Sequence, residues 1–153
     1  MKYKFCNHCG VIYHTISRIC PECNHSTIIT DKTMQALAQA FSDCDFDLLA
    51  ATSSISDMDA TGNKFVNLNI EFRMIYDIDR VFAGLPDGWT AYHTFSVHDA
   101  IVVDVTELSC GFDYFHMDFC TVEDEIQTEV DIMADWLSNS GHIAVLRLSG
   151  FWL

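Results

Sequence analysis

Residues 6–23 read CNHCGVIYHTISRICPEC, two C-x-x-C pairs separated by ten residues, and no other stretch constrains the folding of this chain as strongly. Each pair, Cys6 with Cys9 and Cys20 with Cys23, sets two sulfurs on one tight turn whose backbone amides can hydrogen-bond thiolates. The residues between the pairs suffice for a short β-hairpin that brings the turns together, and four thiolates then close a tetrahedron around one ion. Gly10 follows the first pair, where positive φ is often needed, and Pro21 fixes φ in the second. The bulky apolar side chains near these turns are chiefly Phe5, Val11, Ile12, Tyr13, Ile16 and Ile19, too few to build a core. Metal binding is therefore expected to supply the folding free energy of this segment.

The chain has seven cysteines, an odd number, and the paired spacing of four of them reads as ligation in a reducing compartment rather than disulfide stapling. Cys44, Cys110 and Cys120 are then free thiols buried as small hydrophobes. No stretch approaches the roughly 18 consecutive apolar residues of a membrane span. The N-terminus MKYKFCNHCG lacks the apolar core of a signal peptide. A soluble, cytoplasmic protein without a membrane partner is expected.

The stretch CNHCG…CPEC resembles the zinc-ribbon and rubredoxin-like group, and CGVIYH followed by CPECNH is similar to the small metal module that ends rubrerythrins. The likeness covers residues 3–28 and departs from the pattern in its short spacer and in Asn24, which stands where the second turn usually has glycine. It implies a closed four-cysteine site for Zn2+, or for iron, with ligands Cys6, Cys9, Cys20 and Cys23. The downstream sequence carries no carboxylate-helix pattern of the kind rubrerythrins use to activate oxygen, which favours structural zinc. A site closed by four thiolates offers no open coordination position for catalysis. His8, His14 and His25 are read as loop and turn residues beside it.

Charge divides the chain into a ribbon, residues 1–30, and an acidic body, residues 31–153. The whole chain has 8 Lys and Arg against 22 Asp and Glu, a formal −14. Lys2, Lys4 and Arg18 against Glu22 leave the ribbon near neutrality once four thiolates and a divalent ion are counted. Lys32, Lys64, Arg73, Arg80 and Arg147 are the only strong bases of the body, which is formally −16. Such a field disfavours attachment to phosphate backbones or anionic membranes and favours basic partners.

In the body, Met34, Leu37, Ala38, Phe41, Leu48 and Leu49 share a helical stripe, so a helix is expected over 32–51, capped by Asp31 or Thr30 and breaking near Ser42. Residues 64–76 alternate, with Val66, Leu68, Ile70, Phe72, Met74 and Tyr76 on one face, and predict a strand of an antiparallel sheet. After the turn GLPDG at 84–88, strands are expected over 89–97, 100–106 and 112–120. Thr121 to Asp124 forms a capping-box pattern that opens a helix over 122–139, ended by Asn139-Ser140-Gly141, and HIAVLRLSGFW at 142–152 reads as a last strand. The fold class is α+β: a small N-terminal zinc ribbon plus a mostly antiparallel sheet covered by two helices.

Asp57-x-Asp59-x-Thr61-Gly62 resembles half of a calcium loop, but Leu68 stands where its bidentate acid belongs, so a polar turn is expected. Cys110, His116 and Cys120, with His93 and His98, match no catalytic motif and are read as structural. A non-enzymatic interaction or inhibitor protein is expected, its acidic body engaging a basic protein surface through Asp43, Asp45, Asp47, Glu123, Asp124, Glu125, Glu129 and Asp135. Carboxylates presented in this way can stand where phosphates would lie, as in a nucleic-acid mimic. The rival expectation is a zinc-ribbon nucleic-acid-binding or transcription-associated protein gripping through Lys4 and Arg18.

Overall fold

A computed structural model describes residues 2–13, 19–98, 100–115 and 120–148. The strands are β1 (Lys2–Phe5), β2 (Ile12–Tyr13), β3 (Ile28–Asp31), β4 (Leu48–Asp57), β5 (Lys64–Arg73), β6 (Trp89–His98) and β7 (Ile101–Tyr114). The helices are α1 (Gln35–Asp43), α2 (Ile78–Val81), α3 (Val122–Asn139) and α4 (Gly141–Leu148). All seven strands join one sheet in the order β2-β1-β3-β4-β5-β7-β6. Every neighbouring pair is antiparallel except β3 and β4, whose parallel pairing makes α1 a crossover connection. The class is α+β, as the sequence predicts.

The alternation read from 64–73 is the centre of the core. Val66, Leu68, Ile70 and Phe72 of β5 are fully buried, as is Leu108 of β7 beside Ile70. Leu37, Ala38 and Phe41 of α1 and Ile126, Val130, Met133 and Leu137 of α3 close over them in one cluster. The strand stops at Arg73, three residues short of the expected end, and Tyr76 is 86% exposed. α3 matches its expected bounds, and its capping box is complete: Asp124 N donates to Thr121 Oγ1, and Thr121 N donates to the Asp124 carboxylate. The Asp59 turn is polar as expected: its carboxylate accepts from Thr61 Oγ1 and N and from Asn63 Nδ2, and these bonds hold it below the usual carboxylate range.

Three expectations are corrected. The helix expected over 32–51 ends at Asp43, and 48–57 is strand β4. Its end is a Schellman motif: Phe46 N donates to Phe41 O, Asp45 N donates to Ser42 O, and Asp45 takes φ 65°. The Phe41 and Phe46 rings meet edge to face at 5.3 Å, supplying the apolar contact that accompanies this turn. The strands expected over 100–106 and 112–120 are one continuous strand, β7, to Tyr114; residues 116–119 lie outside the described ones. The final strand expected over 142–152 is helix α4 as far as Leu148, residues 149–152 lying outside the described ones: Ile143 and Leu146, three residues apart, turn one side into the core while His142 Nε2 meets Val81 O at 2.9 Å. Burial against α2 outweighs the β-propensity of Ile143 and Val145.

Asp31 ties the crossover together. It is 6% exposed, and its carboxylate takes four hydrogen bonds: Oδ1 accepts from Thr33 N and Met34 N, and Oδ2 accepts from Ser53 N and Oγ. One side chain thereby joins β3, the entrance to α1 and β4. Asp31→Asn puts an amide donor against Ser53 N, so stability to urea should fall by about 1–3 kcal/mol. Ala100 carries φ 62° at the exposed tip between β6 and β7, where a Cβ is strained. Ala100→Gly should therefore raise the urea midpoint by about 0.5–1 kcal/mol of stability.

Candidate metal centre

The two cysteine turns are copies of one another. Gly10 N donates to Cys6 O and Cys6 N to Val11 O; fourteen residues on, Asn24 N donates to Cys20 O and Cys20 N to His25 O. Gly10 has φ 75° and Asn24 has φ 63°, so the residue that departs from the familiar pattern adopts the conformation the pattern requires. Asparagine enters this region more readily than most side chains. In each pair the first cysteine is fully buried and the second lies outward. β1 and β2 pair as a hairpin around the first turn, Lys4 opposite Tyr13 and Phe5 opposite Ile12; of the spacer expected to form a hairpin of its own, Ile12–Tyr13 is strand and residues 14–18 lie outside the described ones.

The four Sγ atoms lie within 4.8 Å of one another. Cys6 and Cys23 are 3.5 Å apart, Cys9 and Cys20 3.5 Å, and Cys9 and Cys23 3.9 Å. Disulfide sulfurs would stand about 2 Å apart. A tetrahedral ion bound at about 2.3 Å from each sulfur sets them about 3.8 Å apart. The separations fit the second geometry, and the cluster could hold one metal ion through Cys6, Cys9, Cys20 and Cys23. Among the described residues no other group of three or more His, Cys, Asp or Glu is placed to do so.

Backbone donors and one hydroxyl surround the sulfurs. Val11 N serves Cys9, His25 N serves Cys23, and Glu22 N with Cys23 N serves Cys20. Tyr13 Oη donates to Cys20 Sγ at 2.8 Å. Burial alone would push the Cys20 thiol up, but the Tyr13 hydroxyl and the two amides outweigh it and bring it down to about 6. For Cys23, the His25 amide acts downward, while burial and the neighbouring sulfurs carry the thiol up to about 12. The sulfurs therefore compete for protons, and a bound cation would replace those protons and let all four act as thiolates. Burial, then the bond to Cys20, pushes the Tyr13 hydroxyl up, which keeps it a donor.

His8 and His25 are exposed and stack on one another at 3.9 Å, outside the sulfur cluster, as expected of turn residues; His14 and Arg18 lie outside the described ones. Of the eight acids assigned to a partner face, Asp43, Asp45, Asp47, Glu123, Asp124 and Asp135 are exposed. Asp47 is paired with Arg73 at 2.8 Å. Glu125 and Glu129 are half-buried, 3.6 Å from Cys120 Sγ and 3.9 Å from Cys110 Sγ. Burial, then Glu129, pushes the Cys110 thiol up to about 11, the opposite of what a nucleophile needs. His116 lies outside the described residues.

Sequence reasoning passed over Tyr13 as a participant, because a tyrosine seven residues before a cysteine carries no motif. Comparison of the chain with protein-family models, curated proteins and solved structures finds no match. Tyr13→Phe should leave the four sulfurs in place and weaken metal retention about tenfold in a chelator titration. Unchanged retention would mean that the hydroxyl has no bearing on the ion. Thiolates must stay ionised to hold a cation, so the stability it supplies should be present at neutral pH and lost as pH falls. Circular dichroism of metal-loaded and chelated protein across pH 7 to 4 reads that loss.

Proposed function

We propose that the chain is a non-enzymatic interaction protein with a structural Zn2+ at the four-cysteine centre and an acidic body that engages a basic surface on another protein. The centre supports a structural role because four cysteine sulfurs within 4.8 Å of one another would close the coordination of one ion and leave no position for substrate. Zinc in such a site supplies cross-linking of the two turns and no redox chemistry; iron would give coloured protein. The chain's own residues do the rest: Cys6 and Cys20 anchor the ion from the buried side, the backbone amides orient the sulfurs, and Tyr13 steadies Cys20.

The observation that carries the partner reading is the charge on the body, formally −16 over residues 31–153, much of it exposed on α3 and after α1. Asp43, Asp45, Glu123 and Asp135 project from these elements, and a complementary cationic surface would gain attraction and faster encounter from them. Carboxylates placed this way also suit a cleft built for phosphates, the mimicry expected from composition.

Binding to cytochrome c, a generic basic surface, should weaken about tenfold or more between 50 and 300 mM NaCl. The Asp43→Asn, Asp45→Asn, Glu123→Gln, Asp135→Asn variant should bind several-fold more weakly at 50 mM. Salt-independent or unaltered binding in calorimetric titration would leave these acids as a coat that keeps a Phe-rich protein soluble. Elemental analysis should give one zinc per chain; iron would overturn the metal assignment and leave the geometry standing.

A further inference from the structure

The two edges of the sheet differ in kind. At one end β2 is two residues long and sits beside the cysteine turns. At the other, β6 runs for ten residues in unbroken register with β7, from Trp89 opposite Cys110 to His98 opposite Ile101, and among the described residues no strand pairs with its outer side. Natural edge strands are guarded by lysine, inward charge, proline, bulges or brevity. β6, WTAYHTFSVH, has no Lys, Arg, Asp, Glu or Pro and no bulge in its pairing. Thr90, Tyr92, His93, Phe95 and Val97 are exposed along it, with Phe95 71% and Val97 67% accessible.

The surroundings of this edge say what can approach it. Residues 89–114, the whole β6–β7 hairpin, contain no Lys or Arg and four acids, Asp99, Asp104, Glu107 and Asp113. Asp104 stands opposite Phe95 on the neighbouring strand and Glu107 opposite Tyr92, one strand in from the edge. A second copy would bring another hairpin without a base, and another formal −14, against this one. A segment with alternating apolar and basic side chains meets the edge on every count. Its main chain completes the open hydrogen bonds, its apolar side chains lie on the face of Phe95 and Val97, and its Lys or Arg side chains, on the opposite face, reach over β6 toward Glu107 beside Tyr92.

We propose that β6 is a docking edge that receives an extended Lys/Arg-containing segment of a partner protein as an eighth strand. The proposal rests on the basic-partner reading above and gives it a place and a mode, main-chain pairing rather than charge contact alone. The probe is a capped peptide of about ten residues alternating Lys and Val, titrated into the full chain at 50 mM NaCl with amide NMR shifts as readout. Shifts should centre on β6. Phe95→Lys, a change at an exposed position, should weaken binding about tenfold, as should N-methylation of alternate peptide amides; a Glu-for-Lys peptide should not bind.

No binding, or an N-methylated peptide that binds within about twofold of its parent, would overturn the docking edge. A chain that sediments as a dimer dissociated by Phe95→Lys would also overturn it, by making a second copy the occupant. The Asp43, Asp45, Glu123 and Asp135 neutralised variant separates the two readings. If it abolishes peptide binding while Phe95→Lys does not, the acidic surface stands and the edge falls. If Phe95→Lys alone abolishes binding, the edge stands and those acids are not the seat.

Discussion

Everything at the N-terminal end of this sheet depends on four sulfurs being held within 4.8 Å of one another. β1 has four residues and β2 two, lengths at which strand pairing alone contributes little. The cysteine turns give the pair its ends: Cys6 begins directly after β1, and the bond from Cys6 N to Val11 O feeds the chain into β2. Through β1 the constraint passes to β3, whose Ile28 to Asp31 pair with Phe5 to Lys2, and from there across the parallel contact to β4. Bare thiols so close would crowd one another's ionisation, which is why a cation is the natural partner of the arrangement.

The second tie is Asp31. A parallel contact of two register positions between β3 and β4 is short for a junction that carries the first three strands. The carboxylate compensates by reaching both sides at once, with Thr30 Oγ1 adding a bond to Ala51 O at 2.7 Å. A buried carboxylate is costly unless its oxygens are filled, and all four bonds come from backbone amides or a hydroxyl fixed by secondary structure. β3 is thus joined to β4 and α1 by these hydrogen bonds as well as by Ile28, which belongs to the main apolar cluster.

What was legible in the sequence follows from how local each signal is. The C-x-x-C spacing, the alternation of β5 and the capping box of α3 each lie within a few residues, and each appears where expected. The break of α1 near Ser42 was legible, but the strand that follows was not, because Asp45 holds the left-handed position that glycine commonly marks and Leu48 and Leu49 continue a helical stripe by coincidence. Asn24 disguised the symmetry of the two turns in the same way. In 141–148 the only local helical signal is the spacing of Ile143 and Leu146, which the β-branched Ile143 and Val145 mask, and the contact of His142 with α2 is remote in sequence. The eight proposed acids were legible as charge, while the half-burial of Glu125 and Glu129 beside thiols was not.

Charge and topology bear on each other at the far edge. A chain at formal −14 repels its own copies, so it can leave a long edge unguarded where a neutral protein would risk strand-to-strand aggregation. The guard that lysine usually provides within an edge strand is here spread over the molecule as net charge. Such a guard is selective: it turns away acidic chains, including copies of itself, and grows weaker as a basic chain neutralises it. High salt or a polycation would remove it altogether, and the same strand would then become the site at which the protein associates with itself.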